Sequence, residues 1–442
     1  MITGMSTASN TQQARKTGRF IWGYRLEMSF VAAVFALFWI ASSMPVVVAI
    51  LVWASVIGVG VWQRKKILPR THEMLRGAKV RRQLKRAARD AGFGELYVDH
   101  IVMTLPGEWA YVRVPRGSTI GALARVDDAM AVCMKVSKVL VIPDRKDRSR
   151  GSVSIIRRDP FESIGDYSWP LLRAEQTNVR EHMPIGFDEY GRLVKGRLLS
   201  RNLLVGGAPD SGKSSFLRLP AAYAALDPNT RLWLMDGKSV EFEAWKTCAH
   251  AFVSGPDLKG AVEMLTQLHD EMEARYQRIR AAGEVFVLDD MELDVLMIDE
   301  VPTYMRPTIM SDKKAMEQIK TIQSLLWTIV ARGRAAGVIT ILSAQKPDAN
   351  TIPTDIRDLF DNKLALHCNT KQMSDTILGQ GAGDDSAANA ADIPAGQPGV
   401  GYYVGDDGVV KIKTFFLSHK EAVEISSRVA SRQLDDELAT LA

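Results

Sequence analysis

The sequence predicts an α/β protein in which a parallel β-sheet flanked by helices follows a transmembrane helical hairpin and a small α+β domain. From residue 183 onward, short apolar runs alternate with helical stretches, as in strand–helix–strand units of a parallel sheet. Upstream, residues 94–182 contain short runs of alternating apolar residues, which are typical of half-buried strands. Between Met28 and Trp62 no residue is charged, which indicates membrane-spanning helices.

Five segments follow from these patterns. They are a polar cytoplasmic tail at residues 1–20, the transmembrane hairpin at 21–63, a basic juxtamembrane segment at 64–93, the small α+β domain at 94–182 and the α/β domain at 183–442. With 46% hydrophobic and 24% charged residues, the chain is not a disordered protein. The net charge of +5 suits a nucleic acid or an anionic membrane and is diagnostic of neither. The three cysteines lie far apart, which favours neither a disulfide framework nor a zinc site.

The uncharged run is too long for one membrane span, which needs about 20 residues. Ser42, Ser43 and Pro45 would form the turn between two spans. Basic residues flank the run on both sides, so the positive-inside rule places both flanks in the cytoplasm. A cleaved signal peptide fits less well because the run is too long for one. We therefore expect a multi-pass protein of the cell membrane with its α/β domain in the cytoplasm.

The segment after the hairpin is strongly basic. Residues 64–89 contain eleven Lys and Arg residues and one acidic residue, Glu73. This segment could lie on anionic headgroups, face DNA as a collar, or simply be a solvated helix face.

A phosphate-binding loop organises the α/β domain. The spacing G-x-x-x-x-G-K-S is met by Gly207, Gly212, Lys213 and Ser214, between a strand-like run and a helix. Lys213 is expected to reach the β- and γ-phosphates of ATP, and the Ser214 hydroxyl to ligate Mg²⁺. The predicted nucleotide-binding residues are consecutive: Gly207, Ala208, Pro209, Asp210, Ser211, Gly212, Lys213, Ser214 and Ser215.

Polar residues also end three other predicted strands. Asp299 and Glu300 close an apolar run, where Asp299 would hold Mg²⁺ through water and Glu300 would orient and deprotonate the attacking water. Gln345 ends a later strand, where its amide could bind the γ-phosphate or the water. Asp236 could sense the nucleotide or its metal, or merely cap the next helix.

Six motifs in order resemble the motor of the FtsK/SpoIIIE DNA translocases, and the layout resembles membrane-anchored actinobacterial plasmid and integrative-element transfer proteins of that family. They are GAPDSGKSS at 207–215, DGKSVEF at 236–242, EMEARY at 271–276, LMIDE at 296–300, RAAG at 334–337 and SAQKP at 343–347. The resemblance implies a RecA-like P-loop NTPase core that hydrolyses ATP with Mg²⁺. One departure is Pro209-Asp210, where the family has Thr-Gly or similar residues.

The resemblance further implies an ATP-driven translocase of double-stranded DNA. It would act as a homo-hexamer at the membrane, with other transfer proteins as unidentified partners. Conjugative or intercellular DNA transfer is the expected use. The alternatives are a chromosome-segregation pump and an ATPase of type VII-like protein secretion. Arg334 is the candidate arginine finger, with Arg332 second. Lys313 and Lys314 are candidate DNA contacts, or else a solvated helix start.

Overall fold

A computed structural model describes residues 76–104, 107–144, 146–157, 161, 167–306, 311–345, 352–379, 388–406 and 408–441. The predicted tail, the hairpin and the first part of the basic segment lie outside these ranges. The chain divides into two compact units, Met1–Arg82 and Gln83–Ala442, and the elements below are those of the second unit apart from the start of the first helix.

The predicted membrane location requires correction. In the part of the chain that the structure describes, no helix is both long enough and apolar enough to cross a bilayer. The hairpin predicted at 21–63 falls on residues outside the described ranges. We therefore withdraw the assignment as a multi-pass membrane protein.

Helix α1 covers residues 76–90 and contains the described part of the basic segment. Leu84, Ala87 and Ala88 are buried, whereas most of the lysines and arginines of the helix are exposed. The apolar residues recur at the spacing of one helix face, so α1 is amphipathic and its basic side faces solvent.

A four-stranded antiparallel sheet follows, in the order β1-β2-β4-β3. Its strands are β1 (Tyr97–Met103), β2 (Gly107–Arg113), β3 (Lys138–Pro143) and β4 (Arg150–Ile156). Two short helices, α2 (Ile120–Ala124) and α3 (Asp127–Met134), lie between β2 and β3 in the chain. The Thr119 hydroxyl caps α2 by accepting the Ala122 N–H at 3.2 Å.

The second sheet has ten strands in the order β6-β5-β14-β13-β12-β7-β11-β10-β8-β9. The strands from β12 to β9 are mutually parallel, whereas β13, β14, β5 and β6 pair antiparallel. Their bounds are β5 (His182–Asp188), β6 (Leu193–Arg197), β7 (Leu203–Gly206), β8 (Thr230–Asp236), β9 (Ala251–Ser254), β10 (Leu293–Asp299), β11 (Val338–Ala344), β12 (Asn362–Leu366), β13 (Val400–Gly405) and β14 (Gly408–Thr414).

Helices cover both faces of this sheet, which explains why its central strands are almost wholly apolar. They are α4 (Lys213–Leu226), α5 (Leu258–Ala281), α6 (Pro302–Met305), α7 (Lys313–Arg332), α8 (Thr354–Arg357), α9 (Lys371–Leu378) and α10 (His419–Leu441). Leu203 and Val205 of β7 join the core that contains α4 and α10, whereas Leu204 joins the core that contains α5, α7 and α9. Successive side chains of a strand point to opposite faces, so β7 serves both cores.

Residues 167–179 belong with the larger sheet, although the sequence predicts one small domain over 94–182. Tyr167, Trp169 and Val179 are buried in the core of the ten-stranded sheet. The Trp169 backbone N–H donates to Phe416 O at 3.2 Å, and its indole N–H donates to Pro184 O at 3.2 Å. This segment therefore packs as part of the α/β domain.

Candidate active site

The strand register brings the phosphate-binding loop, Asp299, Glu300 and Gln345 to one edge of the large sheet. Gly206 of β7 pairs with Ala344 of β11, and Asp299 of β10 pairs with Asp236 of β8. Because these strands are parallel neighbours, their carboxyl ends lie side by side. In open α/β sheets this edge is where ligands bind.

The phosphate-binding loop connects β7 to α4 by a tight backbone path. Gly212, the residue before α4, has φ +94°, and Asp210 has φ +61°. Asp tolerates the left-handed region better than most residues, so Asp210 suits this backbone conformation. A Cβ at Gly212 would lie 2.4 Å from the backbone nitrogen of Gly399, so a side chain has no space there. The Gly399 N–H donates to Ser211 O at 2.7 Å and fixes the loop.

The loop presents donors to an anion. The first turn of α4 leaves the N–H groups of Lys213, Ser214 and Ser215 without acceptors in their own helix. The Ala208 N–H is already used, because it donates to His367 O at 2.8 Å and ties the loop to the end of β12. The buried hydroxyl of Ser211 has no hydrogen-bond partner within the described residues. Unpaired donors at a helix start are the feature that binds phosphate.

Lys213 and Asp299 form a buried ion pair. The Lys213 ammonium lies 2.5 Å from Asp299 Oδ1, and the Ser343 hydroxyl donates to the same oxygen at 2.5 Å. Lys213 is 4% exposed and Asp299 is fully buried. The second oxygen, Oδ2, has no hydrogen-bond partner in the part of the chain that the structure describes. An unpaired buried carboxylate oxygen is costly unless a cation or water meets it.

Glu300 lies beside this pair on the more open side of the site. Its Oε2 is 4.0 Å from Lys213 Nζ and 3.3 Å from Lys238 Nζ, and it accepts the Gln345 backbone N–H at 3.3 Å. Its side chain is 18% exposed and its φ is +50°. A non-glycine residue in this region is held by its surroundings, and such residues are common at functional sites.

Ser214 has a partner that the sequence reasoning missed. Its hydroxyl donates to Glu241 Oε2 at 2.5 Å, and Glu241 Oε1 lies 4.0 Å from Arg218 Nη2. Burial raises the pKa of the Glu241 carboxyl, while the Ser214 hydrogen bond acts in the opposite direction. Glu241 belongs to the DGKSVEF motif, so the signal was present in the sequence without a role attached to it.

Asp236 caps the segment that follows its strand. Its Oδ1 accepts the Lys238 N–H at 3.1 Å and its Oδ2 accepts the Phe242 N–H at 2.8 Å. The residue is fully buried. Of the two roles that the sequence left open, the structure shows the capping one.

The residues present suit a nucleotide with Mg²⁺. The Ser214 hydroxyl and the unpaired Asp299 oxygen are oxygen ligands of the kind that Mg²⁺ prefers, and the loop N–H groups suit the phosphates. Among the described residues no group of three or more His, Cys, Asp and Glu side chains could hold a metal alone. Mg²⁺ usually binds one or two protein carboxylates together with substrate phosphates.

The comparison with known families agrees with this geometry. The FtsK/SpoIIIE family model matches residues 176–389, a range that includes the loop, the acidic strand ends and Arg334. This chain carries an FtsK/SpoIIIE-family domain.

The FtsK/SpoIIIE domain has curated relatives at low identity. DNA translocase FtsK of Staphylococcus aureus is 24% identical over 351 residues, which cover 73% of this chain and 41% of the relative. DNA translocase FtsK of Mycobacterium tuberculosis is 27% identical over 275 residues, which cover 55% of this chain and 32% of the relative. The chain thus spans less than half the length of these relatives.

A solved structure shares the fold. The pCW3 conjugation coupling protein TcpA, in its monomer form with ATPγS, matches with a TM-score of 0.53 and 16% identity. The match covers 80% of this chain and 99% of that chain. At this identity the match shows similarity of fold.

Arg334 lies at the opposite edge of the sheet in the FtsK/SpoIIIE domain. It sits just before β11, at the amino edge, and forms an ion pair with Asp361, which precedes β12. Arg332 nearby contacts Glu273 at 2.5 Å and lies over the Tyr276 ring. Both arginines line an open pocket of about 450 Å³, together with Arg197, Ser200, Arg201, Tyr276, Phe286, Ala331 and Ala335.

The EMEARY motif of the domain joins α5 to the sheet. Glu271 pairs with Arg231 of β8, and Arg275 contacts Asp294 of β10 at 2.5 Å. Asp294 is fully buried and also accepts the Trp233 indole N–H at 2.8 Å. The motif therefore has a structural role that its sequence did not reveal.

Lys313 and Lys314 are exposed and begin α7, where the Asp312 carboxylate accepts the Ala315 N–H at 3.0 Å. They follow residues 307–310, which lie outside the described ranges. Lysines in the first turn of a helix oppose the helix dipole.

Proposed function

We propose that this protein hydrolyses ATP and uses the energy to move double-stranded DNA, acting as a ring of identical copies. The position of Glu300 carries the proposal of hydrolysis. Its carboxylate lies 4.0 Å from the phosphate-binding Lys213, on the exposed side of the buried Lys213–Asp299 pair. There it is placed to accept a proton from a water molecule that attacks the terminal phosphate.

The other residues would bind the phosphates of the nucleotide and Mg²⁺. Lys213 and the N–H groups of the loop would hold the phosphates, and Ser214 with Asp299 would hold Mg²⁺. When bound, Mg²⁺ neutralises charge on the phosphate oxygens. Gln345 directly follows β11, and its backbone N–H donates to the Glu300 carboxylate. This hydrogen bond would orient the carboxylate.

Arg334 supports an assembly of several copies. It stands at the amino edge of the sheet, whereas the loop stands at the carboxyl edge. The seven residues of β11 separate the two edges by about 20 Å, which exceeds the reach of an arginine side chain. Arg334 would therefore serve the nucleotide of a neighbouring copy, and a homo-hexamer is the proposed ring.

DNA is the proposed polymer because the chain carries an FtsK/SpoIIIE-family domain and its relatives are DNA translocases. Conjugative or intercellular transfer is the proposed use, based on the resemblance of the motifs to transfer proteins. The shared fold with a conjugation coupling protein is compatible with this use.

The test is an ATPase assay of the purified full-length chain with no DNA, with single-stranded DNA and with duplex DNA. Duplex DNA should stimulate hydrolysis with little dependence on its sequence, because contacts to phosphates carry no base information. Hydrolysis without stimulation by any DNA at low salt, in a sample shown to be hexameric, would refute DNA as the polymer. A sample that does not hydrolyse ATP at all would refute the whole proposal.

A further inference from the structure

The Ser214 hydroxyl has a buried acceptor to which neither the motifs nor the proposed chemistry gives a role. The hydroxyl donates a hydrogen bond to Glu241 Oε2 at 2.5 Å, and Glu241 is 8% exposed. A serine hydroxyl has one proton and two lone pairs. Because the proton points to Glu241, the lone pairs of the oxygen are directed away from that carboxylate and are free for another partner.

Glu241 is fixed in position by its neighbours. Asp236 accepts the N–H groups of Lys238 and Phe242, which defines the backbone on both sides of Glu241. Phe242 and Trp245 are buried in the core and anchor the end of the segment. The fold of this segment therefore places the Glu241 side chain at the start of α4, where it meets Ser214.

The negative charge of Glu241 is only partly compensated by the described residues. Its Oε1 is buried and has no hydrogen-bond partner among the residues that the structure describes. Arg218 Nη2 lies 4.0 Å from that oxygen, beyond hydrogen-bonding distance, and another guanidinium nitrogen of Arg218 donates to Leu417 O at 3.2 Å. Asp299 lies near enough for its negative charge to act on Glu241. Two buried carboxylates next to a hydroxyl form an environment that a divalent cation would stabilise.

We propose that Glu241 is a positioning residue of the Mg²⁺ site. Glu241 accepts a hydrogen bond from the Ser214 hydroxyl, so that the lone pairs of the hydroxyl oxygen face the metal. It also adds a second buried carboxylate beside Asp299. The inference rests on the proposed binding of ATP and Mg²⁺ and extends it to a residue outside the loop and the Asp299–Glu300 pair. Loss of such a supporting partner typically weakens metal affinity about 10- to 100-fold.

The experiment measures the affinity of a fluorescent ATP analogue for the full chain at a series of Mg²⁺ concentrations and in EDTA. Glu241→Ala should need at least about tenfold more Mg²⁺ for half-maximal binding, with unchanged affinity in EDTA. Glu241→Gln should fall between this variant and the wild type, because an amide oxygen still accepts the Ser214 proton while the charge is gone. In a Ser214→Ala background, Glu241→Ala should add little, because the shared interaction is already lost.

Glu243→Ala is the matched control, since Glu243 is in the same segment, is exposed and pairs with Lys246 at 3.5 Å on the surface. It should behave as the wild type does. Thermal unfolding without nucleotide checks that each variant is folded, and the near-isosteric Glu241→Gln keeps the test usable if Glu241→Ala is not.

The outcomes separate the two proposals. Wild-type protein that does not bind the analogue would refute the proposed function and this inference with it. Mg²⁺-dependent binding that Glu241→Ala leaves unchanged, or an equal loss with and without Mg²⁺, would overturn the inference alone, because Glu241 would then act on the fold and not on the metal.

Discussion

At the scale of single residues, the buried pair of Lys213 and Asp299 gives the site its charge balance. Each group is almost inaccessible to solvent, so each depends on the other for compensation. A phosphate that enters the loop would compete with Asp299 for the Lys213 ammonium. Substitutions at this pair therefore change both stability and nucleotide binding.

Lys213→Ala should abolish ATP binding, because it removes the charge that meets the β- and γ-phosphates. It should also lower the free energy of unfolding by about 3 kcal/mol, because it leaves the Asp299 carboxylate buried without its cation. Adding Asp299→Asn should restore much of the stability without restoring binding. Titration calorimetry measures ATP binding, and denaturant unfolding measures the free energy of unfolding. Unchanged stability of the Lys213→Ala variant would contradict the role of the pair.

Glu300→Gln should keep ATP binding and lose hydrolysis by about 100-fold or more, because the amide cannot accept a proton from water. The change is nearly isosteric, so the contacts to Lys238 and to the Gln345 N–H are disturbed least. Glu243→Gln, an exposed change of the same kind, is the control. Near-normal turnover by Glu300→Gln would show that the base is another residue.

Arg334→Ala should bind ATP normally and hydrolyse it about 1000-fold more slowly. If Arg334 acts on a neighbour, mixing Arg334→Ala with Lys213→Ala copies should recover part of the activity, because one variant supplies the arginine and the other the intact loop. Arg332→Ala, mixed in the same way, tests the second candidate. No recovery in mixed rings that contain both variants would argue against action between copies.

At the scale of elements, the loop depends on a distant strand. Gly212 approaches the backbone of Gly399, which stands just before β13, so β13 and the phosphate-binding loop constrain each other. The antiparallel half of the sheet thereby supports the site.

Gly212→Ala should therefore abolish nucleotide binding and destabilise the protein by more than the roughly 1–2 kcal/mol expected for strain at positive φ. The added Cβ would lie 2.4 Å from the Gly399 nitrogen, and backbone must move to admit it. Gly283→Ala is the matched control, since Gly283 also has positive φ but has no atom near its Cβ position. Equal effects of the two changes on unfolding and ATP binding would mean that strain alone, without the clash, explains the loss.

At the scale of the whole molecule, the two edges of the large sheet carry different groups of residues. The carboxyl edge holds the loop and the acidic residues, and the amino edge holds the arginine pocket. In a ring where the carboxyl edge of one copy faces the amino edge of the next, Arg334 would lie near the nucleotide of its neighbour.

Lys313→Glu with Lys314→Glu should remove the stimulation of hydrolysis by duplex DNA and leave the basal rate unchanged. The slope of log affinity against log salt should fall in magnitude by about 2, because each lysine neutralises one phosphate. The control is Lys259→Glu, which changes an exposed lysine in the first turn of another long helix, α5. Unchanged stimulation in the double variant would assign the two lysines to a solvated helix start.

The sequence by itself determined the features that depend on neighbours along the chain. The loop spacing from Gly207 to Ser214 and the acidic pair after an apolar strand are local patterns, and the structure forms the expected strand and helix around the loop and the expected strand before the acidic pair. The membrane location, inferred from hydropathy alone, is contradicted, because no helix in the described residues could cross a bilayer.

The tertiary structure was needed to show that Glu241 contacts Ser214, that Asp236 acts as a cap and that Arg334 lies at the edge opposite the loop. Those relations follow from the strand order β7-β11-β10-β8, which brings together residues far apart in the chain and which no local pattern of side chains encodes.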